Sequence, residues 1–597
     1  MVHDRQAHWR FLEEELRAQV EAYKQKLDTA ATTLLLDREE LFVARYLMLK
    51  EGELILKFSN ARSLPRQGEY LYCFTLPEEL RDHRHWDNRT YGDLVKAKLN
   101  YSEVVCIWQA PSNEVGFSIA GFRGVESAFA QHLEGAEGAI VFLGPHKPPF
   151  EYLVNLQSVV RNQGRERLAG ILDQDFQDAE WTPALLDAKK DIPEFLLAQL
   201  ALEDTVIVQG PPGTGKTHMI AELCRRLCME GRSVLVTALT NRALIEVAEK
   251  PALQGLMGEQ RIFKTKISVD ERRLLPDLQA LVDVAPMPGN LVLSTFHVSS
   301  GVAAAVAGDP PFDHVIVDEA SQALLGMLGA ARLLGGKNLW IGDVRQLPPV
   351  VTMNEDKVER AKVGPLVDGL HSLSSCGSIP VFQLTETHRL TERAARYTGL
   401  FYYGTLRSKN TNGAHYSDMR IDVGRYFHPA GGPTLLKVGL DVGDRSARNA
   451  HPFVLEILSH LLDVEEPLHI AVLVPFVATA KALQRTIFQT FGYHKNILVE
   501  TISRVQGLTT DVTIQVIPNT YYNWSLERRL FNVATSRARR HTLILADRDI
   551  LKGPQMDGLV RQYLAALDEE YSFQVELPEL GEKMRLTKRT PRKLPPD

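Results

Sequence analysis

Residues 205–217 read TVIVQGPPGTGKT: an apolar run, then Gly210, Pro211, Pro212, Gly213, Thr214, Gly215, Lys216 and Thr217, with the helical pattern HMIAELCRRL directly behind. Strand, glycine-rich loop and helix in that order are the context a P-loop requires. The glycines let successive backbone N–H groups wrap a triphosphate, Lys216 can reach the β and γ phosphates, and the Thr217 hydroxyl can ligate Mg²⁺. At average glycine usage this eight-residue pattern arises by chance in only about one in fifty chains of this length.

Around that stretch, apolar runs alternate with helical segments: SVLVTA, NLVLST, HVIVDEA and NLWIGD, then a second series, HIAVLVPF, ILVETI, VTIQVIP and HTLILAD. Buried strands separated by helices predict parallel sheets covered on both faces, and the two series predict two tandem α/β lobes. Upstream, apolar residues three or four apart among Glu, Lys and Arg between about 7 and 28 predict an amphipathic helix. Short apolar runs broken by Gly, Pro, Asn and Asp between about 40 and 155 predict a small antiparallel sheet or barrel. The expected division is an N-terminal helix over 1–40, a small β-rich domain with a following helix over 41–175, a first lobe over 176–380, a second over 381–562, and a basic, proline-rich, disordered tail over 563–597.

Composition removes several classes. With 44% hydrophobic and 24% charged residues, and 41 Gly and 31 Pro without a period, the chain is neither collagen-like, coiled-coil nor wholly disordered. No apolar stretch approaches a membrane span, and the amino terminus is too charged for a signal peptide, so a cytoplasmic protein is expected. Five scattered cysteines predict neither a disulfide framework nor a paired zinc site. A net charge of -6 argues against an evenly basic coat but leaves room for a locally basic groove.

The strand HVIV runs into Asp318 and Glu319, delivering two carboxylates at a strand's carboxyl end, where α/β sheets bind ligands. Asp318 would hold the metal through water, and Glu319 would orient or deprotonate an attacking water.

The order GPPGTGKT, DEAS at 318–321 and GDVRQLPP at 342–349 resembles the ATPase core of helicase superfamily 1, most of all its Upf-like, 5′-to-3′ branch. LTETHRL at 384–390 is similar to that family's L-x-x-Q-Y-R-M, VLVPF at 472–476 to its strand ending in T-P-Y, VETISRVQGLTTD at 499–511 to its V-x-x-F-Q-G-x-E-x-D, and NVATSRARR at 532–540 to its N-V-A-x-T-R-A-R. The likeness covers about 200–550 and implies two RecA-like lobes, with the early helix and β-rich domain as stalk and barrel. It implies an ATP hydrolase using ATP and Mg²⁺, acting on single-stranded DNA or RNA as a monomeric motor without a membrane partner. On the same ground Gln346 would sense the γ-phosphate, and Arg389 and Arg537 would be arginine fingers supplied by the second lobe. His388 and Gly507 would belong to the nucleotide site. Thr240, Asn241, Thr295, His297, Pro475 and Thr501 would contact the nucleic-acid strand, although a Thr or Asn before a helix can equally be its cap. Three departures stand out: His388 replaces the tyrosine that stacks on adenine, Thr509 stands where the family has a glutamate after Q-G, and no upstream glutamine is placed to read the base edge. A remodeller that strips proteins without unwinding, or a nucleotide-gated clamp with little turnover, are the alternative readings.

Weaker signals remain. Arg81, His83, Arg84, His85, Trp86, Arg89 and Tyr91 interleave basic and aromatic groups, which suits either a strand-stacking loop or a turn anchored by Trp86. Cys224 and Cys228, one helical turn apart, are expected to be packing residues. The basic cluster at 583–593 reads as a tether or a solubilising tail.

Overall fold

The computed structural model describes residues 4–575 except 30, 60–63, 83–85, 87–88, 112–116, 162–165, 175, 177–181, 187–190, 411–425, 465, 493 and 554–555. A helix, Arg5–Lys24, is capped by Asp4, whose side chain accepts from the Ala7 N–H. It packs against Glu151–Arg161, burying Phe11 and Leu12 in one core with Leu153 and Leu156. Between these two helices the chain builds a closed barrel, in the order Phe42–Lys50, Glu53–Phe58, Ser118–Arg123, Asn100–Pro111, Tyr70–Thr75 and Ile140–Pro145. Its interior carries Phe58, Phe122, Cys73 and Cys106, and burial pushes both thiols far up, as befits packing residues.

The aromatics of the 81–91 stretch belong to a core. Trp86 is fully buried, donates from Nε1 to the Leu80 carbonyl at 2.9 Å and lies 5.2 Å from Phe142, while the buried Tyr91 donates to the Pro145 carbonyl at 3.0 Å. Anchoring of the turn is therefore what these rings do. His83, Arg84 and His85 lie outside the described residues.

The first lobe is a nine-stranded sheet, ordered Gln279–Leu281, Ile262–Thr265, Leu291–Thr295, Val234–Ala238, Phe312–Val317, Gly335–Gly342, Thr205–Gln209, Val381–Leu384 and Ala184–Leu186, with every pairing parallel. The strands Thr205–Gln209 and Val234–Ala238 are buried along their whole length, because helices cover both faces. Helix Leu325–Leu334 is buried at all its residues, sandwiched between the sheet and the helices Glu151–Arg161 and Glu166–Leu172. Cys224 and Cys228 are core residues on Lys216–Met229.

The second lobe is a six-stranded parallel sheet, ordered Ile497–Thr501, Ile470–Val474, Thr510–Val516, Ala538–Asp547, Gly432–Val438 and Ser572–Val575. This corrects the expectation of a disordered tail from 563. Helix Gly558–Glu570 buries Val560, Tyr563, Leu564 and Leu567, and Ser572–Val575 adds an edge strand beside Gly432–Val438. Apolar residues three and four apart drive that helix onto the sheet, whereas the basic composition begins only at Lys583. The basic cluster itself lies outside the described residues. Among the described residues no helix is long and apolar enough to cross a membrane.

Candidate nucleotide site between the lobes

The phosphate loop leaves the buried strand Thr205–Gln209 and ends at Gly215, which caps the helix Lys216–Met229 in left-handed geometry at φ +81. Pro211 and Pro212 are buried, and Thr214 Oγ1 donates back to the Pro211 carbonyl at 2.8 Å, closing the loop on itself. Lys216 Nζ donates to the Gly210 carbonyl at 2.7 Å, and a Cβ on Gly210 would lie 2.4 Å from the lysine Cδ, so a side chain there would displace Lys216 from this position. Gly213, at φ +73, is pressed by the segment that follows Val381–Leu384: a Cβ there would meet Arg389 Cβ at 2.3 Å. His388 N donates to the Gly213 carbonyl at 2.8 Å and Thr387 Oγ1 to the Pro212 carbonyl at 2.8 Å. His388 thereby has its exposed ring at the rim of the loop, and Thr217 sits half-buried on the first helical turn.

Beside the loop, Asp318 ends the strand Phe312–Val317, is 4% exposed, and accepts the Glu319 N–H at 2.9 Å. Burial first, then the neighbouring Glu319, raises its carboxyl pKa, while Lys216 opposes the rise. A carboxylate short of positive charge is a fitting ligand for a divalent cation shared with the Thr217 hydroxyl. Glu319 itself holds a left-handed backbone at φ +51 without being glycine, a conformation that costs of order 1–3 kcal/mol and concentrates at functional sites.

On the same sheet, between the strands of the loop and of Asp318, a buried polar network is centred on Asp343, at the end of Gly335–Gly342. Its carboxylate accepts from Gln209 Nε2, Gln346 Nε2 and Tyr402 OH, each at 2.6 Å, and from Arg345 N at 3.0 Å. Burial raises its pKa, with Lys216 the main opposing influence. From the second lobe, Asn532 Nδ2 donates to Tyr402 OH and to the Arg345 carbonyl, both at 2.8 Å, and Arg537 Nη2 donates to Gln346 Oε1 at 3.2 Å. Gln506 Nε2 reaches Glu319 Oε2 at 3.3 Å, and Gly507 follows it at φ +84.

Arg537 is buried and Arg389 half-buried, both on charge-neutral partners. Arg389 donates to the Ser536 carbonyl, and Arg537 to the carbonyls of Val533 and Leu508, the Ser536 hydroxyl and the Gln346 amide oxygen. Arg389 Nε is buried without a hydrogen-bond partner among the described residues. Burial lowers both guanidinium pKa values; at Arg389 repulsion from Arg537 and Arg539 adds to it, and at Arg537 attraction to Glu319 opposes it. Two desolvated cations and an orphaned donor facing a glycine cradle fit a polyanion such as a triphosphate.

The six strand-contact candidates divide into groups. Thr240 caps Asn241–Ala248, accepting the Ala243 N–H at 3.2 Å, with Asn241 exposed beside it. Thr295 ends the neighbouring strand Leu291–Thr295, paired with Ala238, so these three share one edge of the first sheet. His297 sets its ring edge-on to Tyr152 of the helix Glu151–Arg161 at 5.0 Å, and burial lowers its pKa. In the second lobe Pro475 is buried, and the Thr501 hydroxyl is turned to Glu500 at 3.0 Å. Sequence reasoning missed Gln506, Asn532, Tyr402 and Gln209. Gln506 and Asn532 stand inside quoted motifs, while Tyr402 carries no motif signal.

A family profile described as AAA domain matches residues 196–352. The DNA replication ATP-dependent helicase/nuclease DNA2 of Saccharomyces cerevisiae is 30% identical over 199 residues, 32% of this chain and 12% of that protein. DNA-binding protein SMUBP-2 of Mesocricetus auratus is 22% identical over 437 residues, 62% of this chain and 43% of that protein. The uncharacterized ATP-dependent helicase MJ0104 of Methanocaldococcus jannaschii is 19% identical over 356 residues, 56% and 52% of the two chains. The chain thus spans about half or less of the length of these relatives. Among solved structures, an arterivirus nonstructural protein 10 (helicase) aligns over 86% of this chain and 79% of its own at 15% identity, with a TM-score of 0.37.

Proposed function

We propose, for a chain whose core is that of an Upf-like superfamily 1 helicase, an ATP-hydrolysing motor that moves 5′ to 3′ along single-stranded DNA or RNA. The observation that carries this reading is the composite site: Lys216, Glu319 and Gln346 come from the first lobe, and Gln506 and Arg537 meet two of them from the second. Turnover then depends on how the lobes sit together, which is what a motor needs and a static binder does not.

In this reading the loop 210–217 cradles the triphosphate, and Lys216 leaves the Gly210 carbonyl for the β and γ oxygens. Thr217 and Asp318 would hold Mg²⁺, which would supply charge neutralisation at the phosphate oxygens. Glu319 accepts the proton of the attacking water, oriented by its amide contact with Gln506. Arg389 and Arg537 stabilise the charge that spreads over the transferring phosphoryl. Loss of the γ-phosphate releases Gln346 and Arg537 from their shared ligand, and the lobes part.

Topology supports a link to the strand. Residues 502–509 cross the second sheet from Thr501, at the carboxyl end of its strand, to Thr510, at the start of the next. Gln506 lies on that crossing and touches Glu319, so tension at the Thr501 end is transmitted to the catalytic carboxylate. A strand-displacement assay on duplexes with a 5′ or a 3′ single-stranded tail tests the proposal. Opening of the 5′-tailed duplex alone is expected, and a preference for the 3′ tail contradicts the direction.

A further inference from the structure

The carboxyl edge of the second sheet carries an exposed aromatic cluster that the nucleotide site does not use. Phe476 follows the strand Ile470–Val474, Tyr521 and Trp524 follow Thr510–Val516, and Arg445 follows Gly432–Val438. These strands are parallel, so their carboxyl ends, and that of the strand ending at Thr501, open on one side. Phe476 and Trp524 stack at 5.2 Å and 25°, and Tyr521 meets Phe476 edge-on at 6.4 Å. The Arg445 guanidinium lies 4.5 Å over the Tyr521 ring and 5.6 Å over that of Phe476. Its backbone is pinned by the Thr479 hydroxyl, which donates to the Arg445 carbonyl.

Apolar rings this large are normally covered in a monomer. Here Tyr521 is 56% and Trp524 42% exposed, and Tyr521 is held outward by a left-handed backbone at φ +49. A surface cavity of about 530 Å³ opens on the Tyr521–Tyr522 side of the cluster, lined also by Asn519, Asp547 and Asp549. The neighbouring acids are engaged by the protein's own donors: Asp444 accepts from the N–H groups of Ser446 and Arg448, and Asp549 pairs with Lys552 at 2.8 Å. The guanidinium of Arg445 lies directly over the rings, while Asp444, kept ionised by its backbone N–H donors, and the Asp549–Lys552 pair stand at the rim.

We propose that Tyr521, Trp524 and Phe476 form a base-stacking platform for unpaired nucleotides, with Arg445 neutralising the adjoining phosphate. Rings present a π-face to any base, so the platform grips without reading sequence, and the cation supplies the salt-dependent part of the binding. This deepens the motor reading by giving the second lobe a hold that Pro475, buried, and Thr501, turned to Glu500, do not provide in this conformation.

The test is fluorescence anisotropy of the full chain with labelled oligothymidylate of about 20 nucleotides and with an abasic sugar-phosphate strand of equal length. The variants are Tyr521→Asn, chosen because asparagine tolerates the left-handed backbone, Trp524→Ala, Trp524→Phe and Arg445→Ala. Basal ATPase and circular dichroism confirm folding. Tyr521→Asn and Trp524→Ala are expected to weaken oligothymidylate binding between about fivefold and a hundredfold, leaving abasic binding and the salt slope unchanged. Trp524→Phe should restore most of the affinity. Arg445→Ala should weaken both strands and lower the salt slope by about one. Variants that bind oligothymidylate as the wild type does overturn the platform and leave the patch to a protein partner. A wild type that binds neither strand overturns the motor reading instead.

Discussion

Arg537 donates from Nη2 to the side-chain carbonyl of Gln346 at 3.2 Å, joining residues 191 positions apart across the two lobes. Both are buried, and the same Gln346 donates to Asp343, so the second-lobe arginine is wired into the first lobe's polar core. A group placed at that junction acts only when the lobes are together.

Arg537→Ala is therefore expected to lower kcat by on the order of 10³, the lower end for an arginine finger, with little change in strand affinity. Arg537→Lys should recover only a small part, because one ammonium cannot serve Gln346 and a phosphoryl oxygen as a planar fork does. Steady-state turnover beside strand-binding anisotropy checks this, and a variant with near-normal kcat removes Arg537 from the site.

Gln506 is the residue to set beside Glu319. Glu319→Gln should retain ATP affinity and stop hydrolysis, since the amide keeps the shape and loses the base. Gln506→Ala should lower kcat roughly tenfold to a hundredfold, less than a lost base costs, with KM near the wild-type value. The comparison needs kcat and KM for both variants; a Gln506→Ala defect confined to KM would mean that its contact with Glu319 serves binding.

His388 sets the expectation for nucleotide choice. Its backbone is fixed to Gly213, and its exposed ring is smaller than the tyrosine of the related motif. The triphosphate contacts proposed for Lys216, Thr217, Arg389 and Arg537 would not involve the base. GTP should therefore support turnover within about tenfold of ATP, a gap of ~1.4 kcal/mol. His388→Tyr should tighten KM for ATP by an amount worth about 1 kcal/mol. A hundredfold preference for ATP in the wild type would place base recognition on other residues.

Two histidines, His541 buried and His314 half-buried, set a pH dependence of stability. Burial pushes the His541 pKa down to about 3 and that of His314 down to about 4. The unfolded chain takes up these protons near pH 6.5, whereas the native protein resists them until much lower pH. Their stabilisation is thus complete above pH ~6.5 and is lost as pH falls below it, by up to about 1.4 kcal/mol per pH unit for each group. Thermal melts between about pH 7.5 and pH 5 should show a falling Tm, and His541→Leu should make the decline shallower. An unchanged slope in that variant would show that His541 is protonated in the native state.

Much of the site was legible because it is local. The residues of 210–217, 318–319 and 342–349 each sit at a strand's carboxyl end, where one stretch of sequence fixes both the backbone and the chemistry. The parallel lobes followed from the same buried strands, and the barrel from the short punctuated runs. What escaped was relational. Gln506 matters because it crosses to Glu319, and Tyr402 because it is held between Asp343 and Asn532; neither partnership is written near the residue. Thr240 shows a different limit: a hydroxyl before a helix reads equally as cap and as strand contact, and its bond to the Ala243 N–H shows the capping role in place. The tail expectation erred by extending the composition of the last residues back over Tyr563 and Leu567, whose spacing is that of a packed helix.

The central claim is that strand binding and hydrolysis are coupled through a site shared by two lobes. Steady-state ATPase with single-stranded DNA, single-stranded RNA or neither measures it directly, with Lys216→Ala as the blank. The account predicts a weak basal rate, strong stimulation by at least one of the two strands, and no activity in the variant. A wild-type rate that is the same with and without either strand would contradict it.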